Sequence, residues 1–151
     1  MNPSASRRGR KSAALAFAAV LALAAAGCAK IEEAAPPNGD PAVLAAVPGT
    51  DLHRITLTER AVERVGLKTD VTAVDPQSQK LSVSYWAILY DSTGKTWVYT
   101  NPEPRVYVRQ GITVERVNGA VALLSEGPAA GTVVVTTGAE ELYGAEFDTA
   151  H

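Results

Sequence analysis

The sequence predicts a mainly β domain, arranged as a compact antiparallel β-roll or barrel with one short helix. Beyond residue 50, short runs rich in Val, Ile, Tyr and Trp suit pleated sheet, and several of them alternate apolar with polar residues. Turn-forming residues separate the runs, and Asn118-Gly119 is the strongest two-residue hairpin signal in the chain. The strands are expected at residues 52–57, 67–74, 80–90, 95–100, 105–110, 112–117, 120–124 and 132–137.

The one predicted helix lies between the first two strands, at residues 58–66. The Thr58 side chain can accept hydrogen bonds from the free N–H groups of the first helical turn. Gly66 can adopt the left-handed conformation that commonly follows the end of a helix. The apolar residues of this segment fall on one face, so we expect the helix to cover an opening of the barrel.

Residues 1–27 have the pattern of an export signal. Four basic residues between positions 7 and 11 precede an uncharged run at 13–26, made almost wholly of Ala, Leu and Val. That run is about 14 residues long, whereas a transmembrane helix needs roughly 20. Three small residues, Ala25, Ala26 and Gly27, come directly before Cys28, which is the only cysteine of the chain.

This arrangement resembles the lipobox of bacterial lipoproteins. The resemblance implies that the Cys28 thiol receives a diacylglycerol and that cleavage makes Cys28 the first residue of the mature protein. It also implies a lipid anchor on the extracytoplasmic face of a cell membrane. Two alternatives stay open, an uncleaved membrane anchor and an ordinary free thiol. A disulfide within the chain is excluded, because Cys28 has no second cysteine to pair with.

Residues 28–50 are expected to form a lipidated, flexible tether in front of a single domain at 51–151. The segment 32–41 is rich in Pro and in acidic and small residues, so it lacks the apolar surface that would offset the entropy of ordering. Residues 42–47 are apolar and short enough for one turn of helix before the break at Pro48-Gly49.

Removal of the signal would make the protein strongly acidic. Four of the 14 Lys and Arg residues lie in the signal, which leaves 10 against 16 Asp and Glu, a net charge of about −6. Nucleic acids and anionic lipid surfaces attract basic patches, so neither is expected to be the main partner.

The sequence offers no pattern typical of a metal site, a cofactor site or a catalytic group. His53 and His151 lie at the two ends of the domain, without HxH or ExxH spacing and without a Cys or Met partner in the domain. Neither Ser92 nor Ser125 lies in a triad-like motif, and Glu140-Glu141 is typical of a solvated turn. The glycines mark turns rather than a phosphate-binding loop. We therefore expect a protein that is not an enzyme and that needs no metal or cofactor.

Aromatic residues are concentrated in three neighbouring predicted strands, at Tyr85, Trp86, Tyr90, Trp97, Tyr99 and Tyr107. Strand alternation puts Trp97 and Tyr99 on the same face. One interpretation is that these aromatics pair across strands and pack in the core. The other is a docking surface for a membrane partner, with arginines at its rim. That surface would consist of Trp97, Tyr99, Arg105, Tyr107 and Arg109.

Several runs follow one another in a characteristic order along the domain, at residues 55–74, 87–90, 95–99, 106–109, 112–117 and 124–135, before Gly138-Ala139. Their order and spacing resemble the membrane-proximal part of periplasmic adaptor proteins, which are also called the membrane fusion proteins of efflux systems. A full adaptor carries a lipoyl-like domain, a helical hairpin and a second β-barrel between its two membrane-proximal segments. Here Val74 and Ser84 are only ten residues apart, so those parts are missing.

The resemblance implies a lipid-anchored, non-catalytic accessory subunit of an efflux or export complex, which docks on an inner-membrane transporter. Because the hairpin is missing, such a subunit would not reach an outer-membrane channel. The alternative is a stand-alone ligand-binding or sensor lipoprotein on the same fold. A flat exposed aromatic patch would favour the accessory subunit, whereas a deep apolar pocket would favour the ligand-binding protein.

Overall fold

The structure is a computed structural model, and it describes residues 39–147 of the chain. Residues 1–38, which include the predicted export signal and Cys28, and residues 148–151, which include His151, lie outside the described residues. The strands are β1 Ala42–Ala46, β2 His53–Leu57, β3 Lys68–Val71, β4 Ala73–Val74, β5 Leu81–Ser84, β6 Leu89–Tyr90, β7 Thr96–Glu103, β8 Val106–Asn118, β9 Val121–Glu126 and β10 Val133–Thr137. The helices are α1 Glu59–Val65 and α2 Ala139–Phe147, and a 3-10 turn spans Tyr85–Ala87.

The strands form one antiparallel sheet that nearly closes into a barrel, which confirms the predicted mainly β fold class. The strand order is β3-β10-β7-β8-β9-β5-β4, and only Thr72 separates β3 from β4 along the chain. The first and last strands of this order, β3 and β4, are therefore consecutive in the chain. Thr72 is buried there; its N–H donates to the Thr132 carbonyl at 2.9 Å and its hydroxyl to the Ala129 carbonyl at 2.5 Å.

Two of the predicted strands merge in the structure, and another divides. The strands expected at 105–110 and 112–117 form the single strand β8, because Gly111 pairs with Trp97 of β7 inside the ladder and makes no turn. The first half of β8 also pairs with β2, and its second half pairs with β9 across two bulges. The strand expected at 80–90 is divided by the 3-10 turn, where the chain passes from its partner β9 to its partner β7.

Helix α1 has the capping residues that its sequence predicts. The Thr58 hydroxyl accepts from the Ala61 N–H at 3.2 Å, and Gly66 has φ of 68°. The prediction of a single helix was wrong, because α2 stands where a solvated turn was expected. Its residues Leu142 and Glu146, one helical turn apart, are both buried, although a glutamate does not look like part of an apolar face.

The expected tether ends earlier than residue 50. Strand β1 pairs antiparallel with the whole of β2, from Ala42 opposite Leu57 to Ala46 opposite His53, instead of forming a turn of helix. Ala42 and Leu44 pack against the same core as α1 and α2. The folded part of the chain therefore includes the apolar segment before Pro48-Gly49.

Two apolar cores lie on opposite faces of β7. Val98 points to the first core, inside the barrel, together with Val83, Ala87, Ile112, Ala122, Leu124 and Val134. Trp97 and Tyr99 point to the second core, which also contains residues of β2, α1 and α2. The sheet is thus covered on both faces at β7. Neither helix described between residues 39 and 147 is long and apolar enough to cross a membrane.

Candidate functional site

The most chemically distinctive place in the described structure is a cluster of polar side chains around Glu146, which we call the Glu146 cluster. Its members are His53, Tyr99, Arg109 and Glu146, with Trp97 beside them. Glu146 projects from α2 and is only 3% exposed. The Tyr99 hydroxyl donates to its Oε2 at 2.5 Å, and the Arg109 guanidinium donates to Oε2 at 3.1 Å and to Oε1 at 3.3 Å.

Aromatic rings enclose the guanidinium of Arg109. Its central carbon lies 4.2 Å from the ring centroid of Trp97, 5.1 Å from that of Phe147 and 5.7 Å from that of Tyr143. Such a cation is attracted to the negative faces of the rings, and the attraction grows when water is excluded. Arg109 is 6% exposed, so its charge is balanced by one carboxylate and three rings rather than by solvent.

The strand positions explain why these side chains meet. Trp97 and Tyr99 stand on β7, Arg109 stands on β8, and Tyr99 is directly opposite Arg109 in the ladder. Alternation therefore gives all three the same outer face of the sheet. The α2 helix lies over this face, and Glu146 is one turn beyond Leu142, which is buried in the same core.

Tyr99 remains a neutral hydrogen-bond donor in this setting. Burial raises the pKa of its phenol well above the usual range, and the hydrogen bond to the Glu146 carboxylate raises it further. The Glu146 carboxylate thus accepts hydrogen bonds from a neutral phenol and from a positively charged guanidinium. This arrangement can hold a carboxylate firmly, and it offers no activated nucleophile.

Trp97 is fixed from its other edge by the hairpin before β7. Its indole N–H donates to Oδ2 of Asp91 at 2.9 Å. The Asp91 carboxylate also accepts from the hydroxyl and backbone N–H of Thr93, and these bonds with that of Trp97 hold the pKa of Asp91 well below its usual range. The ring that stacks on Arg109 therefore has little freedom to move.

His53 is the member of the cluster whose side chain lacks a hydrogen-bond partner at a buried ring nitrogen. Its Nδ1 lies 3.9 Å from Oε1 of Glu146, too far for a direct hydrogen bond, and this buried atom has no other partner. Among residues 39–147, no three His, Cys, Asp or Glu side chains are grouped to hold a metal ion. His151, the other histidine, lies outside the described residues.

Most of the docking surface predicted from the sequence is buried within the described structure. Tyr99 is fully buried, Tyr107 is 4% exposed and Arg109 is 6% exposed, so these three cannot meet a partner in this conformation. Trp97 is half-buried, and Arg105 is exposed in the turn between β7 and β8, where its φ is 64°. The structure thus corrects the docking interpretation for Tyr99, Tyr107 and Arg109, which belong to the core.

The remaining candidates from the sequence lie apart from the cluster, and Ser92, Ser125, Glu140 and Glu141 are exposed. Sequence reasoning missed Glu146 and the position of His53 beside it. The only available signal was the four-residue spacing of Leu142 and Glu146, and a glutamate at a buried helical position cannot be told from a surface glutamate without knowledge of its partners.

Three concave regions lie on the described surface, and one of them, a hollow of about 340 Å³, is lined by Asp75, Gln77, Ser78, Arg116, Asn118, Val121 and Leu123. An open groove of about 630 Å³ runs past Tyr90, Lys95, Trp97, Thr113 and Glu126, and we call it the Tyr90 groove. A smaller apolar hollow of about 160 Å³ lies among β1, α1 and α2.

Comparison with protein-family models, with curated proteins and with solved structures gives no significant match.

Proposed function

We propose that this protein is a lipid-anchored, non-catalytic accessory subunit of an efflux or export complex, held on the extracytoplasmic face of the membrane. The observation that carries the proposal is the order of its parts. A segment with the sequence pattern of a lipoprotein signal, ending at Cys28, precedes an antiparallel barrel-like domain, and the adaptor resemblance implies a domain of this kind. The domain would dock on an inner-membrane transporter.

The alternative, a stand-alone ligand-binding or sensor lipoprotein, has less support from the surface. Ligand pockets usually enclose about 300–1,000 Å³ and are mostly apolar. The apolar hollow measures about 160 Å³, the hollow of about 340 Å³ is lined mainly by polar and charged residues, and the larger groove is open and lined in part by charged residues. Large aromatic side chains are instead exposed, with Trp86 at 69% and Tyr90 at 56%. Exposed aromatics favour a docking protein over a small-molecule receptor.

The Tyr90 groove is the surface that we assign to the transporter. It combines two aromatic side chains, Tyr90 and Trp97, with a cation at Lys95 and an anion at Glu126. Aromatic anchors with a polar rim are typical of protein interfaces. A modest interface is sufficient, because an anchor in the same membrane raises the effective concentration of the partner.

Crosslinking and co-purification from native membranes test this proposal. We expect a transporter component to be recovered with the wild-type protein and to be lost with Tyr90→Ala, because truncation of an interface aromatic costs about 1–3 kcal/mol of binding. Val43→Ala is the matched control, since Val43 is 59% exposed on β1, away from the groove lining. Failure of the wild type to recover any transporter component would refute the docking function.

A further inference from the structure

One end of the barrel is formed by two segments that carry no charge, and we call it the uncharged tip. It consists of residues 84–87, which include the 3-10 turn, and residues 117–121, which include the β8–β9 hairpin turn. The segments are joined because Ser84 pairs with Val121 in the sheet and the Tyr85 N–H donates to the Ala120 carbonyl at 2.8 Å.

The uncharged tip exposes much apolar surface. Trp86 is 69% exposed, Tyr85 is 37% exposed, and Val117 and Val121 are each 42% exposed. These four belong to the nine large hydrophobic side chains that are exposed in the described part of the chain. The two rings contact each other edge to face, with centroids 5.9 Å apart. Such a concentration of exposed apolar groups indicates a surface that contacts a membrane or another protein.

The two segments of the tip contain no charged side chain, although Asp75 and Arg116 border Val121 in one hollow. The mature protein would carry a net charge of about −6, yet residues 81–90 and 117–124 contain no Asp, Glu, Lys or Arg. A carboxylate close to lipid would have to be desolvated or protonated, whereas Trp and Tyr rings are favoured at the level of the lipid headgroups. The surface chemistry of the uncharged tip therefore fits a bilayer interface.

We propose that the uncharged tip rests in the interface of the bilayer that holds the lipid anchor, with Trp86 inserted among the headgroups. This inference rests on the lipid anchorage in the proposed function. It adds a second membrane contact, which orients the domain and leaves the Tyr90 groove for the transporter. A single exposed tryptophan would bind lipid weakly alone, but the anchor makes the contact intramolecular.

The covalent length of the tether permits this arrangement. Fourteen residue steps separate Cys28 from Ala42, the first residue of β1, and at about 3.3–3.6 Å per residue they can span at most roughly 50 Å. A domain of about 100 residues has a radius of gyration of only about 13 Å. The fully extended tether is longer than such a domain is wide, so the surface that faces the membrane need not be the one at β1.

Depth-dependent fluorescence quenching in vesicles tests the proposal, because the chain has two tryptophans in different settings. The mature protein, purified from the cells that export it, is reconstituted with phosphatidylcholine vesicles that contain lipids brominated at defined depths. Trp97→Phe leaves Trp86 as the only emitter, and Trp86→Phe leaves Trp97, which lies between Asp91 and Arg109, as the matched control. We expect shallow brominated lipids to quench Trp86 several-fold more than Trp97, with a blue-shifted Trp86 emission.

The difference between wild type and Trp86→Phe gives the same information if Trp97→Phe fails to fold. Val121→Glu adds a charge to the uncharged tip and should lower the quenching of Trp86 without changing the circular dichroism spectrum. Protein that sediments with the vesicles while Trp86 stays unquenched would overturn this inference and leave the lipid anchor intact; a protein partner would then be the better occupant of the uncharged tip. Protein that does not associate with the vesicles at all would refute both the anchor and this inference.

Discussion

Glu146 is the residue on which the attachment of α2 depends most. A buried carboxylate is strongly unfavourable unless charge and hydrogen bonds replace its hydration. Arg109 and Tyr99 supply both, with three hydrogen bonds between 2.5 and 3.3 Å. The ion pair of Glu146 with Arg109 fixes the position of α2 on the sheet, because a shift of the helix along this face would leave both buried charges without partners.

Glu146→Gln should lower the free energy of unfolding by about 3 kcal/mol, because it leaves the Arg109 charge buried without its counter-ion. Urea denaturation measures this change. Glu103→Gln is the matched control, since Glu103 pairs with Arg54 at 3.0 Å but the two side chains are 63% and 42% exposed. An exposed pair contributes about 0–1 kcal/mol. Equal effects of the two substitutions would contradict the role given to Glu146.

Tyr99 should make the fold sensitive to alkaline pH. An unfolded tyrosine ionises near pH 10, and the folded pKa of Tyr99 is raised, so its stabilising contribution is complete below pH 10 and is lost as pH rises above it. The loss is at most about 1.4 kcal/mol per pH unit. Tyr99→Phe should be less stable at neutral pH, because it lacks the bond to Glu146, but its stability should fall less steeply above pH 10.

Denaturation midpoints measured between pH 8 and 11 would show this difference in slope. The pKa of Tyr107 is also raised by burial, and its contribution is common to the wild type and the variant. Parallel curves for the two proteins would mean that Tyr99 can ionise freely in the folded state.

Among the secondary-structure elements, α2 most changes the interpretation of the aromatic residues on β7 and β8. It covers the aromatic face of β7 and β8, and the chain turns into it at Gly138, where φ is 89°. A Cβ built on Gly138 would overlap the Leu67 side chain and lie 2.8 Å from the Val65 side chain. The junction between β10 and α2 therefore needs glycine both for its backbone conformation and for its close contact.

Gly138→Ala should destabilise the fold more than Gly94→Ala. Both positions have φ above 80°, but a Cβ at Gly94 would meet nothing within 4 Å. Gly94→Ala reports the conformational strain alone, about 1–2 kcal/mol, and Gly138→Ala adds about 1–3 kcal/mol for the overlap. Urea denaturation of both variants measures the difference. Equal losses would show that the Leu67 and Val65 side chains can yield at no cost, which would contradict the close contact at Gly138.

Strand β1 can be tested with two neighbouring residues. Leu44 packs against the core, whereas Val43 is 59% exposed. Leu44→Ala should lower the free energy of unfolding by about 1–2 kcal/mol, and Val43→Ala should change it by less than about 0.5 kcal/mol. Chemical denaturation distinguishes them. If neither substitution has an effect, residues 42–46 behave as the tether that the sequence predicted.

At the scale of the whole molecule, the turns and helix caps could be predicted because they depend on residues that are neighbours in the sequence. The β8–β9 hairpin lies where Asn118-Gly119 predicted it, although its two turn residues are Gly119 and Ala120 because Asn118 pairs with Val121. Thr58 and Gly66 bound α1, since turns and caps depend on a few neighbouring residues. The second helix and the Glu146 cluster could not be predicted, because Glu146 is buried only through partners 37 and 47 residues away. Tertiary contacts of that kind leave no periodic trace in the sequence.

The central claim of the proposed function is that a lipidated Cys28 anchors this domain to a membrane. Mass spectrometry of the protein purified from the membrane fraction tests it most directly. We predict a mature chain that begins at Cys28 and carries a diacylglycerol on the thiol, and a Cys28→Ser variant that carries no lipid. An exported chain with a free Cys28 thiol, or one that retains residues before Cys28, would contradict the claim.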